Sequence, residues 1–464
     1  MSKKHFHFEL KKVFLSAFLF STCFSVPCTI TSVAFGENLE QAWEIAIREN
    51  NKLKASQQTT AAAQAGMQAA QAARMPRVTN ATAYTVLSER PEIEVDLSGL
   101  SGSLGNLAAA APELAPVLAG IPTSYSSPIL NKDFLVSSTQ AVLPLYTGGK
   151  ITSLIAQADA RAEAARQGER RDLLDLKMDV AENYFLVLRM NRIVQVLHET
   201  QRELEIHVQN TASLVEKGIV TENIHLSAQV SKAEIDQQIL QAEQGFDLSK
   251  SAYNRYLGRP LDTGVSLEGA EIPPLSSEDI EGLTYTALQH RPELRALDAQ
   301  ATESCEKVKE YRSERLPTMS VAGGYTYIEN DMLKENDFAS ASVCMVWTPL
   351  DGGVSRAKQR AAMHQTAAVN RTRDEVRSGI ELQVRKCWLD ERESRSRMEV
   401  ARKSVEQATR NLEIVRQQFN EGIAPHTDYL QAVSLKTQAE VNFCNALCDA
   451  IIASYRLRRA TGTI

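Results

Sequence analysis

Two stretches of the chain decide its architecture: Pro144-Leu145-Tyr146-Thr147-Gly148-Gly149 and Trp347-Thr348-Pro349-Leu350-Asp351-Gly352-Gly353. Each follows a short run in which apolar and polar residues alternate, as in a β-strand, and precedes a long run with the apolar spacing of an α-helix. Paired glycines allow the tight backbone turn that such a change of direction needs. The chain is therefore predicted to pass twice from a strand through a glycine turn into a long helix.

The two stretches belong to an internal duplication that covers most of the chain. The glycine pairs are 204 positions apart, and so are Gly218 and Gly422. Ahead of the strands the separation is 241, as between Arg74-Met75-Pro76 and Arg315-Leu316-Pro317. The difference of 37 residues indicates an insert in the first repeat, between its two strands.

This duplication predicts the boundaries of two repeats. The first is expected over residues 37–262, with strands at about 78–87 and 134–143, the insert at about 88–133 and long helices at about 151–257. The second is expected over residues 283–464, with strands at about 319–328 and 339–347 and long helices at about 354–459. The glycines and prolines of the insert favour a loop with one short helical turn.

The helical run from Ile151 to Val215 is interrupted only by Gly168. At about 1.5 Å per residue, such a helix approaches 100 Å in length. A helix of that length exceeds any single globular core, so it is expected to pair with neighbouring helices along its length, as in coiled coils and helical tubes.

The second-repeat strands have the alternation expected between lipid and water. From Ala339 to Trp347, every second residue is apolar, and the residues between them are Ser340, Ser342, Cys344 and, at the end, Val346. Four strands from one chain cannot close a barrel, and open edges in hydrocarbon would leave backbone groups without hydrogen-bond partners. If the strands lie in a membrane, several chains must contribute to one barrel.

The start of the chain predicts export. Residues 1–36 have a lysine-rich beginning, an apolar run and small residues before Glu37, as a secretory signal peptide does. Cys23 and Cys28 stand in poor lipobox contexts, so a lipid anchor is the less favoured alternative. The net charge of −6 leaves no basic surface for nucleic acid, which excludes that class of partner.

No pattern of catalytic or metal-binding residues is found in the sequence, so neither an enzyme nor a cofactor is predicted. The six histidines beyond the signal region are scattered without the spacing of a zinc helix, and no nucleotide-binding or nucleophile motif is present. Cys444 and Cys448 share a helix face, where small buried residues explain them better than a metal site does.

The two opening stretches, each between a strand and a long helix, resemble those of the TolC-like outer-membrane efflux family. His290-Arg291-Pro292-Glu293-Leu294 is similar to the start of that family's ascending helix, and the turns at Gly218 and Gly422 are similar to its paired helix tips. The resemblance covers essentially the whole chain after the signal peptide.

The resemblance implies an α+β membrane channel that is internally duplicated. Three identical chains would each give four strands to a twelve-stranded outer-membrane β-barrel, continued by a long α-helical barrel in the periplasm of a Gram-negative bacterium. It further implies a periplasmic adaptor (membrane fusion protein) and an inner-membrane RND or ABC transporter as partners, in an efflux or type I secretion system.

The resemblance also assigns roles to residues near the tips. The adaptor-docking turns would be Lys217, Gly218, Ile219, Glu421, Gly422 and Ile423. The pore gate would include Asp428, Phe419 and Gln431. The alternatives are that Asp428 is a solvated acid in the first turn of a helix and that Phe419 is a core residue.

Some gate positions depart from the family's pattern. Ile224 and Gln431 stand where relatives can carry acids, and Ala424 stands where some carry arginine, so the residues of their ion-pair latch are not matched here. A different class of function, a periplasmic coiled-coil scaffold or adaptor, remains the alternative, and the transported substrate is not indicated by the sequence.

Overall fold

The computed structural model describes residues 36–118, 120, 122, 124–269, 273–275, 279–331 and 333–464; the predicted signal peptide lies, except for its last residue, outside this part of the chain. The helices are α1 (Leu39–Glu49), α2 (Asn51–Ala72), α3 (Ser98–Ala110), α4 (Ala115–Leu118), α5 (Lys150–Glu216), α6 (Glu222–Leu257), α7 (Ile280–His290), α8 (Pro292–Ser313), α9 (Val354–Asn420) and α10 (His426–Thr461). The strands are β1 (Arg77–Val86), β2 (Glu92–Asp96), β3 (Ser124–Pro128), β4 (Asp133–Tyr146), β5 (Thr318–Ile328) and β6 (Asp337–Val346).

The duplication is visible in the lengths of the helices. Both α5 and α9 have 67 residues, and both α6 and α10 have 36. The shorter helices repeat in the same way, with 11 residues in α1 and α7 and 22 in α2 and α8. A helix of 67 residues is about 100 Å long, so each repeat is an elongated unit.

The glycine pairs turn each strand into its long helix. Gly148 and Gly149 have φ values of +62° and +89°, and Gly352 and Gly353 have values of +65° and +90°. These are left-handed conformations that other L-residues adopt only at a cost. At Gly148 an added Cβ would also lie 2.7 Å from the Cβ of Leu316, so that position has no room for a side chain.

Four strands form one antiparallel sheet in the order β1-β4-β5-β6. The pairing of β4 with β5 joins the two repeats, and β1 and β6 are the two edges. In the register of β5 with β6, Val321 lies opposite Val343 and Met319 opposite Met345. The apolar residues of the two strands therefore share one face of the sheet, as the alternation predicted.

The strands begin and end within three residues of the predicted positions, but the insert differs from its prediction. It contains a two-stranded ribbon of β2 and β3, the 13-residue helix α3 and the short helix α4, rather than a loop with one helical turn. The alternation in Glu92–Asp96 is only five residues long and has no counterpart in the second repeat, so neither periodicity nor duplication revealed the ribbon.

The long helices form a layer in which α5 contacts α6 on one side and α10 on the other, and α10 contacts α9. The largest apolar core surrounds the middle of α5, where Tyr184, Phe185 and Tyr253 are almost fully buried. A smaller core lies farther along the helices and includes Leu204, Leu412 and Val433. Among the described residues, no helix combines the length and the apolar character needed to cross a membrane.

Candidate functional site at the helix tips

The two helix tips have the same backbone structure. Gly218, with φ +66°, ends α5, and its N–H donates to the carbonyl of Val215 at 2.9 Å; the N–H of Ile219 donates to Leu214 at 2.9 Å. At the end of α9, the N–H groups of Gly422 and Ile423 repeat these bonds to Phe419 and Gln418. This pair of bonds is the Schellman motif, which requires a left-handed residue and explains the glycine.

The predicted docking residues lie on the surface of these turns. Ile219 and Ile423 are 64% and 68% exposed, so each tip presents one large apolar side chain to its surroundings. Lys217 and Glu421 are exposed at equivalent positions. The two tips thus share their shape and their apolar residue but differ in charge.

Asp428 and Gln431 are exposed in the first two turns of α10. Their separation of three residues places them on one side of the helix. The carboxylate of Asp428 accepts a hydrogen bond from the hydroxyl of Thr427 at 3.4 Å.

Phe419 is not exposed beside Asp428; it is half-buried in a cluster of rings. Its ring centroid lies 5.3 Å from His207, 5.6 Å from Tyr429 and 6.1 Å from His426. The cluster joins α5, α9 and α10 just above the tips. Phe419 thus contributes to core packing in this chain and could influence a pore only through the helices that it holds.

The two histidines of this cluster contact each other directly. His207 Nε2 lies 3.1 Å from His426 Nδ1, and both side chains are buried. Burial, together with the charge that His426 can carry, lowers the pKa of His207 to about 4, and burial also lowers the pKa of His426. The other ring nitrogen of His426, Nε2, is buried without a hydrogen-bond partner, so protonating both nitrogens of this ring would bury a charge with an unsatisfied N–H.

Glu203 of α5 connects this cluster to a charge. Its carboxylate forms an ion pair with Arg416 of α9 and accepts a hydrogen bond from the hydroxyl of Tyr429 of α10 at 3.4 Å. Burial and the negative charge of Glu203 raise the pKa of Tyr429 to about 12. One carboxylate therefore ties the α9–α10 pair to α5 close to the tips.

The sequence analysis did not find this arrangement. His207 and His426 are 219 positions apart, and nothing in their local sequence relates them. Contact between them follows from the packing of α5 against α10, which only the structure defines. Among the described residues, no group of three or more His, Cys, Asp or Glu side chains is placed to hold a metal ion, and Cys444 and Cys448 are buried free thiols.

Comparison with known proteins gives matches over the whole architecture. The family model described as outer membrane efflux protein matches residues 43–259 and 283–463. The chain is 25% identical over 190 residues to the outer membrane protein TolC of Vibrio cholerae, and the match covers 39% of this chain and 40% of TolC. The matched part thus spans two fifths of that relative's length.

Solved structures match over a larger share of the chain. The outer membrane protein VceC of Vibrio cholerae has a TM-score of 0.73 at 16% identity, covering 91% of this chain and 96% of VceC. The CmeC outer membrane channel of Campylobacter jejuni has a TM-score of 0.73 at 14% identity, covering 92% of this chain and 86% of CmeC. These likenesses show that the fold is shared.

Proposed function

Because the chain belongs to the outer membrane efflux protein family, we propose that it is the outer-membrane channel subunit of a tripartite efflux or type I secretion system. The channel would passively export substrates that an inner-membrane RND or ABC transporter hands over through a periplasmic adaptor. The proposal is carried by one observation: within the residues that the structure describes, a sheet with two unpaired edges and two exposed helix tips lie at opposite ends of helices about 100 Å long.

A ring of three copies is supported by the two outer helices of the layer, α6 and α9. On α9, Ile380 and Val384 are buried inside the chain, whereas Leu382 and Leu389 are exposed. The full exposed stripe on α9 is Leu382, Leu389, Val400 and Ile414. At 100° per residue this stripe points away from the buried face, and a helix that is apolar on two sides is stable between two neighbours.

The other outer helix, α6, has the same property. Its exposed apolar stripe is Leu226, Val230, Leu240 and Leu248, opposite buried residues such as Ile239 and Tyr253. Two different apolar sides on one chain form a head-to-tail interface, which closes into a ring when the rotation between copies allows. The α6 stripe of one copy would then cover the α9 stripe of the next.

The open sheet edges fit the same ring. β1 and β6 have no strand beside them on their outer sides in the described part of the chain. Pairing β6 of one copy with β1 of the next would satisfy these backbone groups. Three copies would give twelve strands, whose apolar face would lie against outer-membrane lipid.

The gate is proposed at the periplasmic end, where the tips lie. Three copies of Asp428 around one axis would attract cations and repel one another, with Gln431 beside them. Phe419 would act on the gate by holding α9 and α10 together. The exposed tip residues Lys217, Gly218, Ile219, Glu421, Gly422 and Ile423 would receive the adaptor.

Conductance of the purified full-length protein in planar bilayers tests this proposal. We expect trimers that insert and conduct cations in preference to anions, and a block by divalent cations that Asp428→Asn weakens, because the carboxylates supply the attraction. Glu222→Gln is the matched control, since Glu222 is an exposed acid in the first turn of α6. It should leave the block unchanged.

Two results would contradict parts of this proposal. A protein that stays soluble and never inserts would favour the periplasmic scaffold. A channel whose block is equally affected by Asp428→Asn and Glu222→Gln would remain a channel but would remove Asp428 from the gate.

A further inference from the structure

A cavity of about 430 Å³ lies between α6 and α10, with α5 beneath it; we call it the α6–α10 pocket. Both helices pack on α5 but contact each other little, and small residues, Ser231, Ala242 and Ser434, line the gap between them. The lining residues belong to three helices that the structure describes without a break over this region. The volume is in the range of sites that hold drug-sized molecules.

The floor of the α6–α10 pocket is apolar around one polar point. Leu197 and Leu204 of α5 and Val433 of α10 are buried and line it. Among them, the hydroxyl oxygens of Thr200 and Thr437 lie 2.8 Å apart, and each hydroxyl also contacts the carbonyl four residues before it in its own helix. Two protons serve these three contacts, so the pair has lone pairs but no proton left for a ligand. The floor therefore accepts hydrogen bonds and does not donate them.

The rim of the pocket is polar and carries one negative charge. Gln238, Gln241 and Gln438 contribute amides, and Glu234 is the only charged residue among the described residues that line the pocket. The carboxylate of Glu234 is on an exposed residue of α6, at the edge of the apolar floor. A charge beside apolar protein attracts an opposite charge more strongly than it does in bulk water, because the effective dielectric constant is lower. The pocket therefore favours an apolar molecule with a positive charge over a neutral or anionic one.

The pocket opens on the same side of the helix layer as the proposed gate. Gln438, which lines it, follows Gln431 by seven residues and lies only about 20° from it around α10. On α5, the lining residue Leu204 is about 160° from the exposed Ile206, so the exposed side of α5 faces the other surface. In the proposed channel Gln431 faces the pore, and the pocket therefore opens into the lumen. It extends along residues 430–441 of α10, about 17 Å, and begins directly above the gate.

Assembly of the proposed ring would leave the pocket open. The α6 stripe that would meet the next copy includes Leu226, Val230, Leu240 and Leu248. This stripe is about 110° around α6 from the middle of the residues that line the pocket, which run from Ser231 to Ala242. A neighbouring copy would pack beside the pocket and not over it.

We propose that the α6–α10 pocket binds organic cations with an apolar body of drug size as they pass along the lumen. Glu234 supplies the opposite charge, and the floor around Leu197 and Leu204 supplies the apolar surface. The inference rests on the proposed channel and names a class of substrate for it. Each of the three copies would have one pocket, at the end of the channel where the transporter hands substrates over.

Equilibrium dialysis of the full-length trimer in detergent, at equal detergent concentration on both sides, tests this site. The probes are tetraphenylphosphonium and, as an anion of nearly the same size and shape, tetraphenylborate. We expect the cation to bind more tightly than the anion, and Glu234→Gln to weaken the binding of the cation roughly five-fold or more, because the attracting charge is lost. Glu243→Gln is the matched control: it removes an exposed carboxylate nine residues along α6, about 180° around the helix, and should leave the affinity unchanged.

A second variant, Ser434→Phe, tests the cavity itself. It places a ring in the pocket from an exposed position of α10, so it should weaken the binding of the cation while the trimer and its helix content persist in light scattering and circular dichroism. Equal affinity of the parent and Ser434→Phe would overturn the inference, because the probe would then bind elsewhere. Affinity that falls in Ser434→Phe but not in Glu234→Gln would overturn it as well, because the pocket would not select a positive charge.

Conductance of the same preparations in planar bilayers separates this inference from the proposed function. A parent that inserts and conducts but fails either binding comparison would overturn the inference alone. A parent that does not conduct would instead overturn the proposed function, and the passage of cations along a lumen with it.

Discussion

His207 and His426 share a hydrogen bond in a buried site, where the uncharged ring is favoured. The pKa of His207 is about 4 in the packed tip, against an ordinary value near 6.5 once the ring is exposed. Between about pH 4 and pH 6.5, His207 binds a proton when the tip is open but not when it is packed. The packing free energy is therefore complete above pH 6.5 and falls as the pH drops towards 4, by on the order of 3 kcal/mol per chain.

We expect acid to loosen the helix packing near the tips, and the hydrogen-exchange rate of backbone amides measures this loosening. After correction for the intrinsic rate, amides in residues 200–210 and 415–432 should exchange faster at pH 5 than at pH 7.5. His207→Gln should reduce this difference and His207→Gln with His426→Gln should remove it, whereas His364→Gln, at an exposed position of α9, should keep it. A pH effect that survives the double substitution would assign it to the neighbouring charged groups, Glu203, Arg416 and Tyr429.

The tip turn is an element whose geometry the sequence determines closely. Gly422→Ala places a Cβ on a residue with φ +75°, which costs about 1–2 kcal/mol, whereas Gly379→Ala inside α9 replaces a poor helix former and gains up to about 1 kcal/mol. The amide of Ile423, which donates to Gln418 at 2.8 Å, should exchange roughly 5- to 30-fold faster in Gly422→Ala. Equal exchange in both variants would show that the turn does not need its left-handed residue.

Among the elements that occur twice, the strands, the glycine turns and the long helices follow from the sequence, because two copies of a pattern identify each other. Offsets read from a few glycines and prolines locate whole helices, so α9 starts 204 residues after α5. The ribbon and α3 in the insert occur once and are short, and their glycines and serines are typical of loops. α1 and α7 were not predicted as separate helices, because a single extended residue, Asn50 or Arg291, divides each from the next helix.

The tip itself was predicted and its interior was not. The turn glycines follow from local sequence, whereas Asp428 was singled out through the family resemblance. The ring cluster depends on which faces of α5, α9 and α10 meet, and residues such as Glu203 and Arg416 are 213 positions apart. Phe419 is the clearest example, because its local sequence fits a gate residue and a core residue equally well. Only the neighbouring side chains in the structure distinguish the two roles.

At the scale of the whole molecule, the ring depends on apolar stripes that a single chain leaves exposed. Leu389→Glu on α9 or Leu240→Glu on α6 would place carboxylates in the proposed contact between copies, where burying an unpaired charge costs several kcal/mol. We expect either variant to shift the protein from trimer to monomer in detergent, as measured by light scattering. Both should keep the helix content of the parent in circular dichroism, because the faces buried inside each chain are unchanged.

Glu406→Lys, about 100° around α9 from the stripe, also changes an exposed charge and should leave the trimer intact. If all three variants remain trimeric, the copies meet through other surfaces, and the sheet edges β1 and β6 alone would have to hold the ring.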